Sequence, residues 1–578
     1  MMNKWSVLSC LAALLGTVAA APAASAAASC GSLGSLELPG VTSIAAKAFA
    51  GGSFQPPDPA GFVPTTALPH ASPPIAGLPA FCEVSLVVAP AINIEVWLPL
   101  PGAWTNRFRG VGGGGYAGTI SWVALGNGIQ GGYATASTDT GHSAFAANNG
   151  AGGGGFALKQ PADTLNQGLI EDFAERSELE LARQGKAITR AFYGTGPRFS
   201  YWTGCSTGGR QGWIMAQRHP EQYDGLVTGA PAFNWDRFIP AELWGEVVMN
   251  QELGHPISIP KLAAVTNAAV AACVGHIGDG TLPTDAFLAD PRLCTYNPAQ
   301  MSCSAQPGNP NCLSNAEAQA VAKIWDGPRD EDGRRLWFGL DRSAPLVALD
   351  GTPPFTIATD HFAYWLQQNP GFDWHAVTEQ SFVKDFLNSE AKFHEVIGTD
   401  STDLGGFIEH KAKNITYHGT ADLLIFSRGT INYFERLNQK YGAENVSKFA
   451  RLFVAPGMSH CSSGPGANAF GNNDFGGLPV PSDPQHDVLQ ALINWVEFGN
   501  PPDQIIATKY VNDNPATGVA FTRPLCVFPK IAKYKGAGNP NEAANWACAN
   551  GLSNETTEAA DAVLPDRGDR DDRSTDHD

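Results

Sequence analysis

Apolar and polar residues alternate with a period of two along Glu83-Val84-Ser85-Leu86-Val87-Val88 and Ile92-Asn93-Ile94-Glu95-Val96-Trp97-Leu98, which predicts β-structure over residues 82–98. Residues 53–79, rich in Pro, Gly and Ala, read as an irregular lead-in. Residues 107–111 form a short predicted strand that runs into Gly112-Gly113-Gly114-Gly115, and residues 133–138 a buried one. Residues 172–193 carry helical periodicity. A strand is predicted at 199–203, a helix at 209–219, and a strand with its turn at 224–231. This alternation of strand and helix predicts a doubly wound α/β core. From about residue 232 to 399 prolines, four cysteines and many aromatics replace it, which predicts an inserted domain acting as a lid over the site. The core resumes with a strand at 414–419, a helix at 429–441, a strand at 449–454 and a helix at 487–498.

The two ends read differently. Lys4, the apolar stretch 7–20 and Ala24-Ser25-Ala26 make residues 1–26 a secretory signal with an A-x-A cleavage site. That stretch is too short for a transmembrane helix. The expected layout is therefore signal 1–26, core 27–231, lid 232–399, core 400–554 and tail 555–578. The tail holds nine acidic and three basic residues and almost nothing apolar, so it is expected to be disordered. The net charge of −18 argues against nucleic-acid or anionic-membrane partners. Nothing in the sequence selects an oligomeric state.

Of the eleven cysteines, Cys10 leaves with the signal. The ten that remain suit five disulfides in a secreted or periplasmic protein. Sequence alone leaves their pairing open. Proximity suggests Cys30–Cys82, Cys273–Cys294, Cys303–Cys312 and Cys526–Cys548, with Cys205 and Cys461 left over.

Those last two flank the residues with chemical promise. Gly204-Cys205-Ser206-Thr207-Gly208, between a predicted strand and helix, has the G-x-S-x-G form of a nucleophile elbow. A serine hydroxyl needs a base, and the base needs a carboxylate to orient it. In α/β-hydrolases the order is Ser, Asp or Glu, then His, and Ser206, Asp422 and His460 meet it. Asp422 and His460 each sit in a turn after a predicted strand. Asp403 competes with Asp422, and His418 and His142 with His460. Acyl transfer also needs N–H donors for the developing oxyanion. Thr207, directly after the serine, is one candidate, and Gly113 or Gly114 in the early glycine run is the other.

These residues together resemble the tannase and feruloyl esterase family. The matching stretches include Val111 to Gly118, Ser137 to His142, Tyr201 to Gly212, Asp224 to Ala232, Tyr417 to Asp422, Gly457 to Cys461 and Arg523 to Cys526. The resemblance implies an α/β-hydrolase core, a serine esterase with Ser206, Asp422 and His460 as triad, and a Cys205–Cys461 disulfide. It further implies a lid that binds the aromatic acyl group of a small ester substrate, such as a feruloyl or galloyl ester. Tannase and terephthalate-monoester hydrolase are the neighbouring activities within it. Ile425, taken as substrate-binding, stands where the family's terephthalate-monoester hydrolase has phenylalanine. The family's lid carries a calcium loop of the form C-D-x-x-D-G-V-x-D-G, but here Cys273-Val-Gly-His-Ile-Gly-Asp279-Gly280 lacks two carboxylates. A structural calcium in the lid therefore rests on a degraded motif, and the chemistry requires no cofactor. A secreted phenolic- or carbohydrate-binding protein without catalysis is the alternative from another class.

Overall fold

The computed structural model describes residues 28–57, 73–146, 148–159, 164–472, 474 and 476–551. The expected signal and acidic tail lie outside the described residues. Nine strands share one sheet: β1 (Val41–Phe49), β2 (Phe81–Val88), β3 (Ile92–Pro99), β4 (Arg107–Val111), β5 (Ala134–Thr138), β6 (Phe199–Cys205), β7 (Gly225–Gly229), β8 (Lys413–Gly419) and β9 (Ala450–Ala455). Their spatial order is β1-β2-β3-β5-β4-β6-β7-β8-β9. The β1, β2, β3 and β5 neighbours pair antiparallel, and all pairs from β5 to β9 are parallel.

Parallel strands are covered on both faces, so their side chains are apolar in both directions. Along β6, Trp202 enters a core shared with Leu181, Ile188, Trp213 and Phe434. Its neighbour Tyr201 points the other way, into a core with Phe453, Leu492 and Trp495. Helices Ser177–Tyr193, Thr207–Arg218 and Ser427–Tyr441 cover the first face, and Val488–Phe498 covers the second. Full burial of a side chain such as Ile188 or Leu492 contributes about 1.5–3 kcal/mol. This is the layered α/β core that the pattern predicts, in keeping with the α/β-hydrolase core that the resemblance implies.

Two elements of the sheet layer differ from expectation. Strand β1 is an edge strand of mostly Ala, Ser and Thr with no fully buried position, so its sequence carries little β signal. The helix Trp122–Gln130 contains Gly126 and Gly128, which weaken its helical pattern. Gly128 packs so closely on β5 that an added Cβ would lie 2.7 Å from Thr135 Oγ1.

Strands β7 and β8 are neighbours in the sheet, yet residues 230–412 separate them and add no strand to it. That connection carries helices Trp235–Ala241, Trp244–Glu252, Ile259–Cys273, Asn315–Asp326 and Glu379–Ile397. Trp244, Leu262, Val321, Trp325 and Phe382 pack together in its core. Five disulfides join Cys30–Cys82, Cys205–Cys461, Cys273–Cys294, Cys303–Cys312 and Cys526–Cys548. Among the described residues no helix is long and apolar enough to cross a membrane.

Candidate active site

Ser206 stands at the turn between β6 and the helix Thr207–Arg218, with φ 62° and ψ −124°. A non-glycine residue in that region is strained, and it is held there by its surroundings. Ser206 N–H donates to Gly229 O at 3.0 Å, and Ser206 O accepts from Arg210 N and Ala232 N. The flanking glycines make the turn sterically feasible. A Cβ on Gly204 would come within 2.3 Å of Gly208 O, and one on Gly112 within 2.5 Å of Gly208 Cα.

The glycine run after β4 lies against this elbow, with Gly208 N–H donating to Gly113 O at 2.9 Å. The two candidate glycines are not equivalent. Gly113 N–H donates to Gln211 Oε1 at 3.0 Å, and Gln211 is itself held by the buried Glu178. Gly114 N–H has no acceptor among the described residues. Thr207 opens its helix, so its N–H has no acceptor within that helix either.

His460 Nδ1 lies 3.1 and 2.9 Å from the two carboxylate oxygens of Asp422. Asp422 is buried, and its Oδ1 also accepts from Leu424 N and Ile425 N at 2.9 and 3.0 Å. His418 Nε2 approaches Oδ2 at 3.2 Å. Burial opposes ionisation of Asp422, but the His460 charge and the hydrogen bonds from His418 and His460 outweigh it. They hold its carboxyl below the usual carboxylate range.

The competitors sit elsewhere. His418 is buried behind Asp422, with Nδ1 2.8 Å from Thr430 Oγ1. His142 stacks on Phe156 at 3.9 Å, and burial pushes its pKa down to about 4. Asp403 is exposed and accepts from Gly405 N beside a short helix.

Ser206, Thr207, Gly113, Gly114, Ile425 and His460 all line one cavity of about 600 Å³. Cys205 and Cys461 join there, with Cα atoms 6.0 Å apart, and so tie the elbow to the histidine loop. Sequence reasoning missed much of the remaining wall, notably Trp235, Phe238, Ile239, Glu242, Phe355 and Ile357. A signal for the first four exists: positions 235, 238, 239 and 242 fall at i, i+3, i+4 and i+7. The aromatics Trp325, Trp337, Phe362 and Trp365 are packed in the core instead, with Tyr364 against it.

The loop after Cys273 does not fit a calcium ion. Asp279 Oδ1 accepts from Thr281 N and Oγ1, and Oδ2 from Ala289 N and Asp290 N. The carboxylates of Asp285 and Asp290 face the guanidinium groups of Arg523 and Arg292. Backbone N–H groups and arginines thus take up the oxygens a cation would need.

A family model described as tannase and feruloyl esterase matches residues 80–549. An uncharacterized esterase of Xanthomonas campestris pv. campestris is 34% identical over 572 residues, covering 92% of this chain and 92% of its own length. A probable feruloyl esterase of Arthroderma benhamiae is 34% identical over 473 residues, covering 79% of this chain and 82% of its own. The crystal structure of feruloyl esterase B from Aspergillus oryzae superimposes with a TM-score of 0.75 at 27% identity, covering 90% of this chain and 99% of that one.

Proposed function

The chain belongs to the tannase and feruloyl esterase family of carboxylic ester hydrolases, and we propose that it is an exported serine esterase of aromatic carboxylic acids with Ser206, His460 and Asp422 as its triad. The observation that carries this reading is one juxtaposition. His460, bonded through Nδ1 to a buried Asp422, lines the same cavity as a strained Ser206, and a disulfide joins their neighbours.

In the first half-reaction Ser206 Oγ attacks the ester carbonyl carbon while His460 Nε2 takes its proton. Asp422 accepts from Nδ1–H and stabilises the imidazolium. Thr207 and Gly114 N–H groups receive the oxyanion, since Gln211 engages Gly113. The C–O bond breaks, His460 returns the proton to the departing alcohol, and the acyl group stays on Ser206. Water then repeats the sequence from the other side, releasing the acid and restoring Ser206.

The connection 230–412 acts as the lid, because Trp235, Phe238 and Phe355 from it make an aromatic wall suited to an acyl ring. No Lys or Arg lines the cavity among the described residues. A terephthalate monoester would therefore bring its carboxylate to a wall without a cation, which favours feruloyl or galloyl esters. Five disulfides and the predicted signal support export to an oxidising compartment. The test is turnover of ferulate, gallate and terephthalate monoesters side by side. Hydrolysis of ferulate or gallate esters is expected, and failure on all three would favour the non-catalytic binding protein.

A further inference from the structure

Trp235, Phe238, Ile239 and Glu242 share one helical face and all line the cavity. Three are apolar and the fourth is a carboxyl. Glu242 is only 2% exposed, and its Oε2 is buried without a hydrogen-bond partner. Neither of its oxygens is bonded by any described residue. Burial, and after it the nearby charge of Asp422, raises its pKa well above the carboxylate range. A neutral carboxylic acid both donates and accepts.

An unpartnered buried carboxyl costs stability, and no described residue offsets that cost. A ligand hydroxyl in the cavity that reaches Oε1 would, Oε2 being sealed off. We propose that Glu242 is a specificity-determining residue whose carboxyl receives a phenolic hydroxyl on the aromatic acyl group of the substrate. This rests on the esterase reading of the cavity. The match is chemical. A phenol is a donor and acceptor carried on an apolar ring, and the wall is a donor and acceptor carried on an aromatic helix face. A substrate carboxylate does not match, because it would meet Asp422 nearby and no lining cation.

The test compares kcat/KM for methyl p-coumarate and methyl cinnamate, which differ by the phenolic hydroxyl alone. Wild type is expected to prefer the coumarate by about tenfold or more, since a site built for a hydroxyl discriminates against its absence. Glu242→Leu should lose that preference, with kcat/KM for the coumarate falling by much more than that for the cinnamate. Glu242→Gln, still donor and acceptor, should keep most of it. An unchanged ratio in Glu242→Leu overturns the proposal, as does a parallel loss on both esters with a lower Tm, which would mark a structural role. If neither variant folds, the wild-type ratio decides, and a ratio of about one overturns it. If wild type hydrolyses neither ester, the esterase reading is decided by the ferulate, gallate and terephthalate panel. The proposal is then decided by calorimetry of p-coumaric and cinnamic acids on wild type and Glu242→Leu. Tighter binding of the phenol that the leucine abolishes supports it, and equal affinities overturn it.

Discussion

His460 spends one ring nitrogen on Asp422, and its Nε2 has no partner among the described residues. The carboxylate therefore fixes both the tautomer and the direction of the free nitrogen. Asp422→Asn should lower kcat heavily, though by less than Ser206→Ala, through the wrong tautomer. Asp403→Asn should leave kcat near wild type, because Asp403 is exposed at a helix start. A larger loss from Asp403→Asn would reverse the assignment. A second residue-scale expectation concerns Asp350, whose Oδ2 is buried without a partner among the described residues and whose pKa burial raises to about 8. A raised folded-state pKa favours the folded protein most below the unfolded value of about 3.9, and that advantage is lost as pH climbs toward 8. Asp350→Asn removes the titration. Its Tm relative to wild type should therefore rise between pH 4 and pH 9, and a constant difference would contradict this.

At the scale of elements, the elbow was legible because three local patterns agree: a buried strand, G-x-S-x-G, and a helix at once after it. Other elements were not. Strand β1 is an Ala-rich edge, and its place is set by pairing with β2 rather than by its own pattern. The choice between Gly113 and Gly114 turns on Gln211 reaching back from a helix formed 98 residues later. The Cys205–Cys461 bond spans 256 residues, and its loss should cost about 5 kcal/mol on the chain-entropy account. It also keeps the elbow and the histidine loop in register, where a shift of about 1 Å can cost a hundredfold in rate. Cys205→Ala/Cys461→Ala should thus melt earlier and turn over more slowly, with its preference among esters kept. Wild-type melting and turnover in that variant would show that the bond holds nothing in place. The loop around Asp279 should be indifferent to EDTA, since its carboxylates already have protein donors. A fall in Tm with EDTA that calcium reverses would contradict that.

Across the whole molecule, the sheet joins sequence segments that lie far apart, and residues of the connection 230–412 line one cavity with Ser206. The change of pattern near residue 232 was readable, but the identity of the cavity wall was not. Trp325, Trp337, Phe362 and Trp365 are conspicuous in the sequence and serve as core, because a connection of that length must bury a centre of its own. Trp235 and Phe238 reach the cavity because their helix follows β7 directly, beside the elbow. The site is thus built where the core and the long connection meet, and Ser206 is the atom-level claim on which the rest depends. The most direct measurement is kcat/KM for methyl ferulate with Ser206→Ala beside wild type, both shown folded by circular dichroism. A loss of about a thousandfold or more is predicted, because the acyl acceptor is removed while the cavity is kept. Retention of about a tenth of wild-type activity would contradict it, since a true triad nucleophile leaves far less behind.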